Sequence, residues 1–113
     1  MKIIKDHIEI SELQKMAKDF SGDFVKAVVD IEKEMMAVDG ELHMDLLTFL
    51  MEQESSEPKN IWGINIYPEK TGEDFIEFNS MVNIKPGFGN KNRGVDSFQI
   101  QDKIKSVVKK LVV

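Results

Sequence analysis

Residues 61–83, IWGINIYPEKTGEDFIEFNSMVN, constrain the fold most, because two alternating apolar runs flank a short polar connection that contains glycine. With Tyr67 opposite Phe75, Ile66 meets Ile76, Ile64 meets Phe78 and Trp62 meets Ser80, so the large apolar residues share one face of an antiparallel hairpin. Asn65, Glu77, Asn79 and Asn83 then share the other face. A slip of one residue would bury that polar row, which specifies the register. Trp62 is expected in the core, and Tyr67 with Phe75 as an outward cross-strand pair.

A second alternating run precedes it. In FVKAVVDIEKEMMAV, Val25, Ala27, Val29, Ile31, Met35 and Ala37 fall on one face, broken only by Lys33, and predict one long strand. Asp39-Gly40 follows, a dipeptide suited to a two-residue type I′ turn, so ELHM is expected to fold back antiparallel with Met36 opposite His43. Helices are expected at both ends. ISELQKMAKDF has Ser11 at capping-box spacing from Gln14, an apolar stripe of Leu13, Met16, Ala17 and Phe20, and Gly22 to close it. In the last segment Ile100, Ile104, Val107, Val108 and Leu111 make a helical stripe, with Lys109 and Lys110 near its C-terminal end, where cations suit the helix dipole. DLLTFLMEQ could begin another helix with Asp45 as its cap.

A chain of 113 residues with 42% apolar and 31% charged residues is expected to form one compact domain, residues 1–113, with a core of its own. The predicted class is α+β: an antiparallel sheet of about four strands flanked by an N-terminal and a C-terminal helix. The chain has no cysteine, which excludes disulfides, thiolate metal sites and a cysteine nucleophile, and fits a reducing cytoplasm. No apolar run approaches the roughly 20 residues of a membrane helix, and MKIIKDHIEI is not a signal peptide, so a cytoplasmic protein without membrane association is expected.

The words VVDIEKEMMAVDGELHMD, WGINIYPE and FIEFNSMVNIKP, with Asn90 and Arg93 after them, resemble a small family of uncharacterised prokaryotic proteins, a domain of unknown function. The similarity runs from about the first helix to the last. It implies a single α+β domain and no particular activity, cofactor or catalytic residue. Such proteins more often carry a second glycine where this chain has Asp39.

Two places carry candidate chemistry. If Asp39-Gly40 is a hairpin turn, Glu41, His43 and Asp45 share a face with Asp30, Glu32 and Glu34, and Glu34 stands opposite Asp45. Like charges facing across a ladder call for a cation or a proton between them, and Glu32, Glu34, His43 and Asp45 form a mixed set suited to a divalent metal such as manganese, iron or zinc. The plainer reading, a solvated face with Asp45 capping the next helix, is favoured, because His-x-Asp alone is a weak motif. His43 with a carboxylate could also do acid–base work, yet no nucleophile accompanies it. The second place is GFGNKNRG. It matches neither phosphate-loop pattern, but Lys91 and Arg93 beside glycines just ahead of a helix could hold an anion.

Charge sorts the function classes. Residues 1–57 hold 14 acids against 6 bases, a net −8, and residues 58–113 hold 6 acids against 9 bases, a net +3. The overall −5 disfavours nucleic acid, while the split permits self-association or an anionic ligand on the second half. The leading class is therefore a small non-catalytic binding or protein-interaction module that forms a homo-oligomer or docks a protein partner. Behind it stand a metal-dependent or acid–base hydrolytic enzyme at the Glu32, Glu34, His43, Asp45 face, and an RNA-interacting or toxin-like protein using Lys85, Lys91, Arg93 and the lysines of the last helix.

Overall fold

A computed structural model describes all 113 residues. Five antiparallel strands, β1 (Lys2–Ile4), β2 (Val25–Asp30), β3 (Met35–Val38), β4 (Ile61–Ile66) and β5 (Ile76–Glu77), lie in the order β1-β3-β2-β4-β5. Helices α1 (Ile10–Phe20) and α3 (Phe98–Leu111) cover one face and α2 (His43–Glu54) covers the other. The α+β expectation holds, with one strand more than expected and a helix on each side of the sheet. No helix is long and apolar enough to cross a membrane.

The apolar stripes dictate the larger core. Leu13 and Ala17 of α1 and Ile104, Val107, Val108 and Leu111 of α3 pack on Val25, Ala27, Val29, Trp62, Ile64 and Ile66. Alternation along the strands sends Val28, Ala37 and Ile61 to the opposite face, where Leu46, Leu47 and Leu50 of α2 meet them with Val82. Gly22, at φ +97°, closes α1 through its N–H to the Ala17 carbonyl at 2.7 Å. Ser11, however, is not the cap: Glu9 holds that position, two residues earlier, and the helix starts at Ile10.

The expected long strand is two strands. The buried Asp30 carboxylate accepts from the N–H groups of Glu32 and Lys33, both at 2.9 Å, and Glu34 turns left-handed at φ +55°. These residues build the hairpin turn at 31–34 and pair Ala27 with Val38 and Val29 with Met36. The turn shifts the parity, so Met36 and Val38 rather than Met35 and Ala37 join Val25, Ala27 and Val29 in the α1/α3 core.

Asp39-Gly40 is therefore not a hairpin turn, and ELHM is not a strand. Asp39 takes φ +68° and sends the chain into α2, which begins at His43 and not at Asp45. A Cβ on Gly40 would stand 2.8 Å from Leu46 Cγ, so a bare backbone lets the helix start this close to β3. The fifth strand, β1, pairs with the outer side of β3. Three residues are too few to show an alternation, which is why it was not predicted.

In the β4–β5 hairpin, Ile66 pairs with Ile76 as predicted, and the Tyr67 N–H donates to the Phe75 carbonyl at 2.9 Å. The ladder then stops at Glu77. Ile64–Phe78 and Trp62–Ser80 do not form as strand pairs, because the chain lifts off and Ser80 comes to lie over Gly63. Asn83 completes what β5 leaves open: its side-chain Oδ1 accepts from the Gly63 N–H at 2.7 Å and its Nδ2 donates to the Gly63 carbonyl at 2.9 Å. A side-chain amide thus substitutes for a strand.

Candidate functional site

Between β5 and α3 runs an irregular segment of 20 residues, 78–97, interrupted only by single turns at Met81–Asn83 and Pro86–Phe88. Segments this long without regular structure are uncommon in a compact domain and are usually functional when ordered. This one is held from inside. Asn83, fully buried, also donates to the Arg93 carbonyl at 3.0 Å, and the Ser80 N–H donates to the same carbonyl at 2.9 Å. Asn90, 5% exposed, donates to the carbonyls of Asn83 and Gly94 at 2.7 and 2.8 Å and accepts from the Asp96 N–H at 2.9 Å. Of the polar row Asn65, Glu77, Asn79 and Asn83, the first and last are buried and Glu77 is exposed, and Asn83 joins Asn90 in the scaffold of this segment.

What the scaffold presents is apolar and cationic. Met81, Ile84 and Phe88 are 62%, 39% and 65% exposed, and across from them Leu42 and Met44 at the start of α2 are 56% and 55% exposed. Two adjoining hollows share Met44, Met81 and Val82. One, of about 400 Å³, runs to Pro58, Lys59, Ile84, Lys85 and Phe88; the other, of about 260 Å³, to Lys26, Leu42, His43 and Arg93. Their walls contain four cationic side chains and no carboxylate, in a chain whose acids outnumber its bases 20 to 15. Exposed contiguous apolar surface with a polar rim is the mark of an interaction site, and methionine suits one because its flexible side chain adapts to what it meets.

The cations are positioned. Arg93 Nε donates to Asn79 Oδ1 at 2.8 Å, and Lys26 Nζ donates to the Glu41 carbonyl at 2.9 Å. Lys85 is half-buried: its Nζ donates to the carbonyls of Pro58 and Val82 at 2.9 and 3.0 Å and lies 5.0 Å from the centre of the Trp62 ring, and burial lowers its pKa from the ordinary lysine range. His43, 9% exposed, forms the floor of the smaller hollow. Its Nε2 lies 2.8 Å from the Ile64 carbonyl, which can only accept, so Nε2 carries the proton of the neutral ring. Burial lowers the His43 pKa; the Ile64 carbonyl and Asn65 act against that shift, and the charges of Lys26 and Arg93 act with it.

The family model described as Protein of unknown function (DUF5674) matches residues 2–111. The chain belongs to that family. The match runs from the first residue of β1 to the last of α3, so the whole sheet, its three helices and the pinned segment are family structure. No curated protein and no solved structure matches the chain.

Within this family fold the expected four-residue metal set is not brought together. Glu32 and Glu34 stand in the turn beyond Asp30, while His43 faces Lys26, roughly 13 Å back along β2 at about 3.3 Å per residue. Glu34 Oε1 lies 3.3 Å from Lys110 Nζ, and Asp45 sits in the first turn of α2. No three His, Asp or Glu side chains are grouped closely enough to hold a metal ion. The premise failed at the turn: with the hairpin at 31–34, Glu34 never stands opposite Asp45.

The anion pair is divided as well. Arg93 reaches the smaller hollow, whereas Lys91 is exposed and lines neither. GFGNKNRG does not lead directly into α3, which begins four residues past Gly94 with Ser97 as its cap. Nor do the basic groups form one surface, since the lysines of α3 lie on the opposite side of the sheet from Arg93, with Lys105 beside Glu73 and Lys110 beside Glu34. Sequence reasoning missed Lys26, Lys59, Met44, Met81 and Phe88. Exposed methionine and phenylalanine read as core until the fold shows which of them the core leaves out.

Proposed function

We propose that this protein is a small non-catalytic interaction module that binds an acidic, amphipathic segment of a partner protein across the α2 face. The observation that carries this reading is the pair of joined hollows walled by Leu42, Met44, Met81, Ile84 and Phe88, with Lys26, Lys59, Lys85 and Arg93 around them and no acid among the lining residues. An apolar floor supplies affinity, and a rim of one sign selects a partner of the other and speeds its approach. Arg93 keeps the anion-binding role expected of it, with Lys26 in place of Lys91. The cysteine-free composition suits a reducing, cytoplasmic setting, and the resemblance to prokaryotic proteins suits a prokaryotic one.

Two fluorescent helical peptides with identical apolar positions, one carrying glutamates and the other lysines at the polar positions, test the reading by anisotropy. The acidic peptide should bind, with affinity falling as salt screens the rim, and binding should be lost in Met81→Glu/Phe88→Glu. Equal binding of both peptides, or an unchanged titration in the double variant, would refute it. Light scattering over a range of concentrations separates a second copy of the chain from a different partner: a dimer abolished by the same double variant would make the chain its own ligand.

A further inference from the structure

A hollow of about 630 Å³ lies on the other side of the sheet, between the β4–β5 connection and the exposed flank of α3. Its walls are Ile10, Pro68, Phe75, Ile76, Val108 and Val112, and three ammonium groups, Lys70, Lys105 and Lys109, stand around it with one acidic side chain, Glu73. Lys70 Nζ lies 4.6 Å from the centre of the Tyr67 ring, and Lys105 Nζ lies 3.6 Å from Glu73, whose side chain is 91% exposed.

We infer that this hollow is a binding site for a small amphiphilic anion, with an apolar body against Ile76, Val108 and Val112 and a carboxylate head among Lys70, Lys105 and Lys109. Three features favour that class. The volume falls within the roughly 300–1,000 Å³ of small-molecule sites. The walls are apolar and offer few groups to a polar ligand, so the ligand body must be apolar. The lining side chains carry three positive charges against one negative, and the one acid holds its lysine only at the 3.6 Å separation of an exposed pair, which leaves the cations free to exchange it for a ligand anion. Nothing here depends on the α2-face reading, because the two sites lie on opposite faces of the sheet and share no residue.

The probes are decanoate and decylamine, equal in apolar length and opposite in charge. Each is titrated below its micellar range into protein with 13C-labelled methyl groups on isoleucine, valine and methionine. Decanoate should shift Ile76, Val108 and Val112 saturably, and decylamine should bind at least about fivefold more weakly, since one contact charge pair contributes about 1 kcal/mol in water. Lys70→Gln/Lys105→Gln/Lys109→Gln, all at non-buried positions, should keep the methyl spectrum of the free protein and weaken decanoate by at least the same factor. Equal affinity for the two probes, shifts centred on Met44 and Met81, no saturable shift, or an unchanged affinity in the triple variant would each overturn the assignment.

Discussion

At the scale of single residues, Asn83 holds three backbone groups where β5 ends: the Gly63 N–H, the Gly63 carbonyl and the Arg93 carbonyl, the last of which also accepts from the Ser80 N–H. Removing the amide strands the two Gly63 groups in a buried setting, and each buried group left unpaired costs about 1–3 kcal/mol. Asn83→Ala is therefore expected to lower the unfolding free energy by on the order of 3 kcal/mol. Urea denaturation checks this, with the exposed Asn92→Ala as the reference; a loss no greater than that of Asn92→Ala would show that the amide is not the missing strand. His43 gives a second expectation. Its folded-state pKa lies below the ordinary 6.5, so the unfolded chain takes up the proton first as pH falls. Stability should be full above about pH 6.5, fall on acidification, and level off once the folded-state pKa is passed. Denaturation midpoints between pH 7.5 and 5 should show that fall, reduced in His43→Gln. The same slope in wild type and variant would contradict it.

At the scale of elements, what the sequence discloses is what a periodic face can disclose. The stripes of α1 and α3 and the Ile66–Ile76 pairing were legible because each repeats against one core, and a repeat broken by a shift would expose apolar surface. The β2–β3 turn was not. Asp30 makes it by bonding two backbone amides, and a buried aspartate has the same appearance in sequence as an exposed one. Asn83 escaped for the same reason, since polar residues at alternate positions of a strand pattern read as a wet face until the chain is seen to fold over them, and Asn90 stands in a stretch that reads as a plain loop. The backbone at the exit of β3 provides a test: Asp39 holds φ +68°, costly for a residue with a Cβ and free for glycine. Asp39→Gly should raise stability by ~0.5 kcal/mol, the relief of that strain less the extra chain entropy of glycine. A lower melting temperature in the variant would mean that the aspartate side chain contributes more than its backbone costs.

At the scale of the whole molecule, the sheet separates two surfaces of different make-up. One face carries the larger core, α1 and α3, and the hollow ringed by lysines of α3 and the β4–β5 connection. The other carries α2 and the pinned segment, with a smaller core and the apolar residues that this core leaves exposed. The chain is acidic overall, yet every charged side chain that lines the groove on the α2 face is a cation. Seven methionines make this arrangement directly observable, because Met44 and Met81 line the groove while Met36 is buried in the opposite core. Methionine-methyl NMR during titration with the acidic amphipathic peptide is the most direct measurement of the central claim. Met44 and Met81 should shift together and saturate, and Met36 should stay in place. Shifts that leave Met44 and Met81 unmoved while other methionines respond would contradict the assignment of partner binding to this face.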